Sequence, residues 1–230
     1  MVELHFFWHA FFKIKSKSKT ILIDPVLSFK APSKDFDCML DCTVKEDDLK
    51  NITMILITHE HFDHFDKELV ERIAKENKAC VVAHQNILQE LEKSIPKAFL
   101  HPITIGEKIS LRGVEIEVIP AHHPQSFYPV GYIINIDGKS IYHAGDTALI
   151  DSMAKLKADV ALLPIGGYET MDCVDALRVV KIMKPGIAIP MHYNTFKMIQ
   201  QDPKEFKQKI EKSISKTRVV ILNPGKKIRF

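Results

Sequence analysis

Residues 52–64 read ITMILITHEHFDH. The first seven are apolar or β-branched without a break, the pattern of a strand buried on both faces. The last six hold His59, His61, Asp63 and His64 on the loop that the strand runs into. Side chains two apart on an extended segment point the same way, so His59 and His61 can reach one ion together. Asp63 and His64 are displaced along the loop and can reach a second; two-metal hydrolytic sites hold their ions about 3.5–4 Å apart. A polar turn capping a helix with Asp63 or Asp66 would account for an aspartate but not for three histidines. Histidine and aspartate together are donors for divalent ions.

Outward from this segment, short β-type runs alternate with turns. Strands are expected at 2–8, 11–15 and 20–24, the last stopped by Pro25. The stretch 28–50 is polar and reads as a long loop. After the histidine loop come a helix at 67–76, a strand at 79–83 and a helix near 87–93. The second half repeats the plan. Hairpins are expected at 108–111 with 114–119, and at 132–136 with 140–143 around Asp137-Gly138. Then follow a helix at 149–156, a strand at 159–163, a helix at 172–183, a strand at 187–190, a helix at 203–212 and strands at 219–222 and 227–230. Strands first and helices later in each half suit an α+β fold of two face-to-face sheets with helices outside, a four-layer αββα sandwich. No Pro- or Gly-rich linker divides the chain, so 1–230 is expected to be a single domain.

Three further loops offer ligands just after apolar strands: Ala121-His122-His123, Ala144-Gly145-Asp146-Thr147 and Pro190-Met191-His192-Tyr193. Loops along one edge of a rigid scaffold are where sites are built. An aspartate between two histidine groups can bridge two ions, and Asp146 is placed for that, with Gly145 letting the backbone approach closely.

Composition narrows the class. The chain has 230 residues, with Lys+Arg 32 against Asp+Glu 29. That balance gives no strong signal for nucleic acid or a membrane surface. The lysines between 197 and 229 fall at helical spacing and read as a solvated face. Cys80 and Cys173 sit beside apolar runs as small core residues, and Cys38 and Cys42 lack a second ligand pair for a metal clip. No disulfide framework, signal peptide or membrane span is legible, so a cytoplasmic protein is expected. Phe6, Phe7, Phe11 and Phe12 pack either inside or against a partner chain, which leaves a homo-oligomer open.

The segments HEHFDH, WHAFFKI (8–14), ILIDPVLS (21–28), YHAGDT (142–147), LLPIGGYETM (162–171) and IPMHYNTF (189–196) together resemble the metallo-β-lactamase superfamily over nearly the whole chain. More narrowly, they resemble its metal-dependent hydrolase branch related to ascorbate-6-phosphate lactonase. The resemblance implies the αββα fold of the metallo-β-lactamase type. It also implies two divalent ions: His59, His61 and His123 on the first, Asp63, His64 and His192 on the second, Asp146 bridging. Its A-x-H pattern points to His123 rather than His122. Asp24 would orient a ligand histidine, and His9 would lie near the site. His143 reads as a plain strand residue.

Such a pair of ions supplies ionised water near neutral pH, lowering its pKa from 15.7 to about 7. Asp63 or Asp146 would take the proton. The donor set suits zinc, and also manganese, iron or nickel. The expected activity is hydrolysis of a small-molecule lactone, ester or phosphodiester. The alternatives are a nuclease, a metal or redox sensor, and a non-catalytic binding module. The flavin-linked redox relatives carry Glu where His61 stands. Gly166-Gly167 and Thr170 line the pocket or merely reverse the chain, and the loop PQSFYP (124–129) is a candidate pocket wall.

Overall fold

The continuous apolar runs become the central strands of two sheets in a computed structural model, which describes residues 1–17, 19–29, 33–213 and 216–230. Among these residues each sheet has seven strands. The first holds β1 (Val2–Trp8), β2 (Phe11–Ser16), β3 (Lys19–Ile23), β4 (Met54–Leu56), β5 (Cys80–Ala83) and β6 (Leu100–Pro102) in chain order, with β14 (Lys227–Arg229) outside β1. The second runs β7 (Lys108–Leu111), β8 (Val114–Pro120), β9 (Val130–Ile136), β10 (Lys139–His143), β11 (Val160–Pro164), β12 (Ile187–Met191) and β13 (Arg218–Val219). Each sheet is antiparallel at first and then parallel, from β3 to β6 and from β10 to β13. Parallel neighbours need a crossover. The helices α1 (Lys67–Asn77), α2 (Gln85–Leu91), α3 (Cys173–Met183) and α4 (Pro203–Ser213) lie on such connections.

Side-chain alternation assigns the layers. Leu22, Ile55 and Val81 point outward onto Leu69, Val70 and Ile73 of α1 and Ile87, Leu88 and Leu91 of α2. Their neighbours Ile21, Ile23, Met54, Leu56 and Val82 point inward and share a core with Ile116, Val118, Tyr132 and Ile134 of the second sheet. Ala176, Val179 and Val180 of α3 and Phe206 and Ile210 of α4 join that core from the far side. The result is the four-layer αββα sandwich. Phe6, Phe7, Phe11 and Phe12 are all buried within the chain's own core. Among the described residues, no helix is long and apolar enough to cross a membrane.

Both faces of β4 are apolar, so hydrophobicity alone does not fix its register. Hydrogen bonds at its two ends do. Thr53 N donates to Thr20 O (2.8 Å), and at the other end Thr58 N donates to Asp24 Oδ1 (2.8 Å). Asp24 N in turn donates to Leu56 O (3.0 Å). The histidine loop therefore leaves the strand from a pinned point.

Several expected elements differ in detail. The helix expected at 149–156 is a 3-10 segment, Asp151–Lys155; buried Met153 and Leu156 are three apart, a spacing that a 3-10 period serves as well as an α one. The strand expected at 219–222 is β13, two residues long, before the chain turns toward Gly225. The strand β6 went unread, because His101-Pro102 carries no strand signal. The long loop holds two 3-10 turns, Lys34–Phe36 and Glu46–Leu49; its residues 30–32 lie outside the described residues.

Candidate metal centre

Six loops meet where the two sheets open. The β1–β2 turn brings His9, β3 ends at Asp24 and β4 runs into His59–His64. The ends of β8, β10 and β12 bring His123, Asp146 and His192. Three of these residues hold left-handed backbone without being glycine: His9 (φ 50°), Asp24 (φ 48°) and His192 (φ 51°). Each such residue costs of order 1–3 kcal/mol, and here all three lie beside one cluster. Gly145 is required where it stands: its φ is +61°, and a Cβ there would lie 2.5 Å from Val130 O.

Hydrogen bonds fix which ring nitrogen His59, His61, His64 and His123 present. Thr58 Oγ1 donates to Asp24 Oδ2 (2.7 Å), so it accepts from His59 Nδ1–H (2.9 Å) and leaves Nε2 of His59 as a bare acceptor. His64 Nδ1–H donates to Asp24 Oδ2 (2.8 Å), which likewise leaves Nε2. His61 Nε2–H donates to Gln125 O (3.2 Å) and His123 Nδ1–H to Glu169 O (3.2 Å). The remaining nitrogens, His61 Nδ1 and His123 Nε2, face each other at 3.1 Å. Two lone pairs at that distance repel unless something positive lies against both. Nε2 of His59 and His64, both ring nitrogens of His192 and Oδ1 of Asp146 are buried without a hydrogen-bond partner. Buried acceptors left so are costly, and a divalent cation is the group that would satisfy the Nε2 atoms and Oδ1 together. This donor set fits a metal.

The atoms sort into three overlapping groups, each within 4.8 Å: His59, His61 and His123; His9, Asp63, His64 and His192; and His59, His64 and Asp146. Asp146 stands between them. Its Oδ1 is 3.3 Å from His64 Nε2, and its Oδ2 is 2.9 Å from His192 Nε2, 3.8 Å from His123 Nε2 and 4.0 Å from His59 Nε2. All seven residues named as ligands from the sequence thus converge. His123 is buried and faces His61, whereas His122 is exposed. His9 backs the cluster: its Nε2–H donates to Asp63 Oδ2 (3.1 Å), and Nδ1 contacts Thr195 Oγ1 (2.9 Å).

The field inside the cluster favours positive charge. Burial disfavours a charged His64, yet Asp146 and Asp63 outweigh it and hold that imidazole well above its usual range. Burial likewise pushes Asp146 up, and His192 and His64 more than reverse it, so the carboxyl lies well below the usual carboxylate range. Asp63 is also depressed, by His64 and His9 against the same desolvation. His59, buried and beside His64, is pushed well below its usual range; a cation would replace the proton that the two carboxylates draw onto His64, since histidines bind metal as neutral imidazole.

A cleft of about 410 Å³ opens onto the cluster. His61, Asp63, His123, Asp146 and His192 form its floor, and Phe36, Phe62, Tyr168, Phe196, Met198 and Ile199 its apolar wall. Tyr168 and Glu169 line it rather than Gly167 or Thr170, whose hydroxyl closes the turn on Gly167 O (2.8 Å). The loop 124–129 contributes Gln125 to the wall. His143 is structural: Nε2–H donates to Ala10 O (3.0 Å), and Nδ1 accepts from Gly145 N (3.1 Å). Phe62, Tyr168 and Phe196 of the wall lie in segments that carry the resemblance, whereas Phe36, in the polar loop, carried no sequence signal. Thr195 lies within IPMHYNTF, but its contact with His9 joins residues 186 positions apart and is not readable from that segment.

Comparison with known proteins agrees with this geometry. Residues 19–193 match the model of the beta-lactamase superfamily domain. A UPF0173 metal-dependent hydrolase from Pyrobaculum islandicum is 38% identical over 238 residues, and one from Pyrococcus furiosus is 40% identical over 244. Both alignments cover 100% of each chain. The solved structure of a metallo hydrolase from Ignicoccus hospitalis superposes with a TM-score of 0.82 at 33% identity, covering 100% of this chain and 99% of that one. The chain belongs to the metallo-β-lactamase superfamily and, within it, to the UPF0173 metal-dependent hydrolases.

Proposed function

We propose that this hydrolase works with two divalent ions and attacks the carbonyl of an uncharged lactone or ester that carries an apolar group. The observation behind the reading is the convergence of seven ligand side chains in two sets with Asp146 between them. His59, His61 and His123 would hold one ion, Asp63, His64 and His192 the other, and Asp146 both. The nitrogen and carboxylate donors suit zinc, the metal we assign, and also manganese, iron or nickel, since no thiolate selects among them. When bound, the ions supply ionised water at neutral pH and polarise the scissile carbonyl.

The chain's own residues do the rest. Asp63 and Asp146 both border the cleft, and we assign them to take the proton from the attacking water. His9 holds Asp63 in place. The wall of Phe36, Phe62, Tyr168 and Phe196 excludes water and gives an apolar substrate group a surface to pack on. Because both sheets supply ligands, we read the chain as one domain acting on a small molecule. A phosphodiester or nucleic-acid substrate finds less support, since no lysine or arginine is among the lining residues of the described cleft.

The test is metal content by mass spectrometry, paired with turnover of lactone, ester, thioester and phosphodiester substrates with and without chelator. We expect two ions per chain, chelator-sensitive ester or lactone hydrolysis, and loss of both metal and turnover in His59→Ala and Asp146→Ala. Full metal content and activity in either variant would overturn the assignment.

A further inference from the structure

The histidine loop contains one polar residue that is not among the proposed ligands. Glu60 lies between His59 and His61 and points away from the cluster. Its Oε1 accepts from Phe127 N (2.7 Å) and its Oε2 from Ser126 Oγ (3.0 Å). Both partners belong to the loop 124–129. That same loop supplies Gln125 O, the acceptor that holds the proton of His61 on Nε2 and so frees Nδ1. The Gln125 side chain crosses the cleft mouth to Glu169, donating from Nε2 to Oε1 (2.6 Å). The backbone oxygen of Glu169 accepts from His123 Nδ1 and frees that residue's Nε2.

The contacts close a circuit. Glu60 anchors the loop, the loop orients His61, its glutamine ties down Glu169, and Glu169 orients His123. His61 and His123 belong to the same ligand set. The other set is oriented by groups outside this circuit: His64 by Asp24, and Asp63 by His9. We propose that Glu60 is a positioning residue that sets the affinity of the ion held by His59, His61 and His123, acting through the 124–129 loop, while leaving the other ion's affinity unchanged. The inference rests on the two-ion reading above. Partners that orient ligand histidines change metal affinity by about 10–100-fold when removed.

The experiment is a zinc titration of the metal-stripped full chain against a chromophoric chelator. The step that His123→Ala abolishes identifies the first ion. In Glu60→Ala that step should weaken by about tenfold or more, with the other step unchanged. Glu60→Gln should restore it to near wild type, because the amide oxygen still accepts from Phe127 N and the amide nitrogen can donate to Ser126 Oγ. Ser126→Ala, which removes one of the two contacts, should weaken the same step by a smaller factor; should Glu60→Ala fail to fold, this variant decides alone. Unchanged steps, two steps that weaken together, or a Glu60→Gln as weak as Glu60→Ala overturn the inference. A wild type with fewer than two steps overturns the two-ion reading and this inference with it.

Discussion

Asp24→Asn changes one atom at a fully buried position and should cost the protein twice. The carboxylate accepts from Thr58 N (2.8 Å), Thr58 Oγ1 (2.7 Å) and His64 Nδ1 (2.8 Å). The asparagine oxygen can keep the first, but the amide nitrogen cannot accept the other two. Hydrogen bonds to a charged acceptor contribute about 1.5–3 kcal/mol each. Loss of one, with the other partly recovered by rotation of the threonine hydroxyl, should lower the melting temperature of the metal-stripped chain by roughly 5–10 °C. The second cost falls on metal. To meet an N–H at residue 24, His64 must accept at Nδ1, which moves its proton to Nε2, the proposed ligand atom. Zinc affinity at the ion we propose for Asp63, His64 and His192 should fall by about 10–100-fold, or about 1.4–2.7 kcal/mol. Thermal unfolding of the stripped protein and the two-step zinc titration measure the two costs separately. Two zinc steps within a factor of two of wild type would refute the tautomer argument, whatever the melting temperature did.

Other perturbations probe the scaffold. Gly145→Ala places a methyl 2.5 Å from Val130 O and 3.1 Å from the Thr58 side chain, on left-handed backbone. It should destabilise by more than about 1 kcal/mol and release metal through Asp146; an unchanged melting temperature would count against the close approach. His5 is buried beside Phe7, with ring centroids 4.0 Å apart, and both its ring nitrogens lack hydrogen bonds. Burial, with Lys227 and Lys13 and against Asp48, pushes it down from 6.5 to about 4. A folded value below the unfolded one means that the unfolded chain takes up the proton first as pH falls. That contribution is complete above pH 6.5 and is lost between 6.5 and about 4. His5→Phe removes it, so the variant should gain stability relative to wild type at pH 5 compared with pH 8. Equal differences in urea midpoint at the two pH values would refute the assignment.

Much of the candidate site was legible because its candidate ligands sit at strand ends, where a run of apolar residues stops and polar ones begin. The uninterrupted run from Ile52 to Thr58 marked a buried strand, and the histidines after it had few places to point. His122 and His123 were another matter. Adjacent residues at a strand end point to opposite sides, and the choice depends on how the chain leaves Pro120. His122 N bonds Thr147 Oγ1 (3.0 Å), which turns the next side chain inward. That contact joins segments far apart in sequence and leaves no local trace. The same holds for the aromatic wall. Phe36 and Phe196 lie 5.7 Å apart in space, and neither sits in a periodic run that would mark it. Short elements failed for want of pattern: β6 has three residues, one of them proline.

The strand β14 pairs with β1, setting Arg229 opposite Glu3 and Lys227 opposite His5. The sheet that carries the histidine loop is therefore finished by residues made more than two hundred positions after it begins. During synthesis β1 presents an open hydrogen-bonding edge while the whole second sheet is still being built, and exposed edges are where nascent chains pair wrongly. Closure across so long a separation is slow. A chaperone that shields the stretch around Val2–Trp8 should therefore raise the yield of folded protein more than one that shields any later strand.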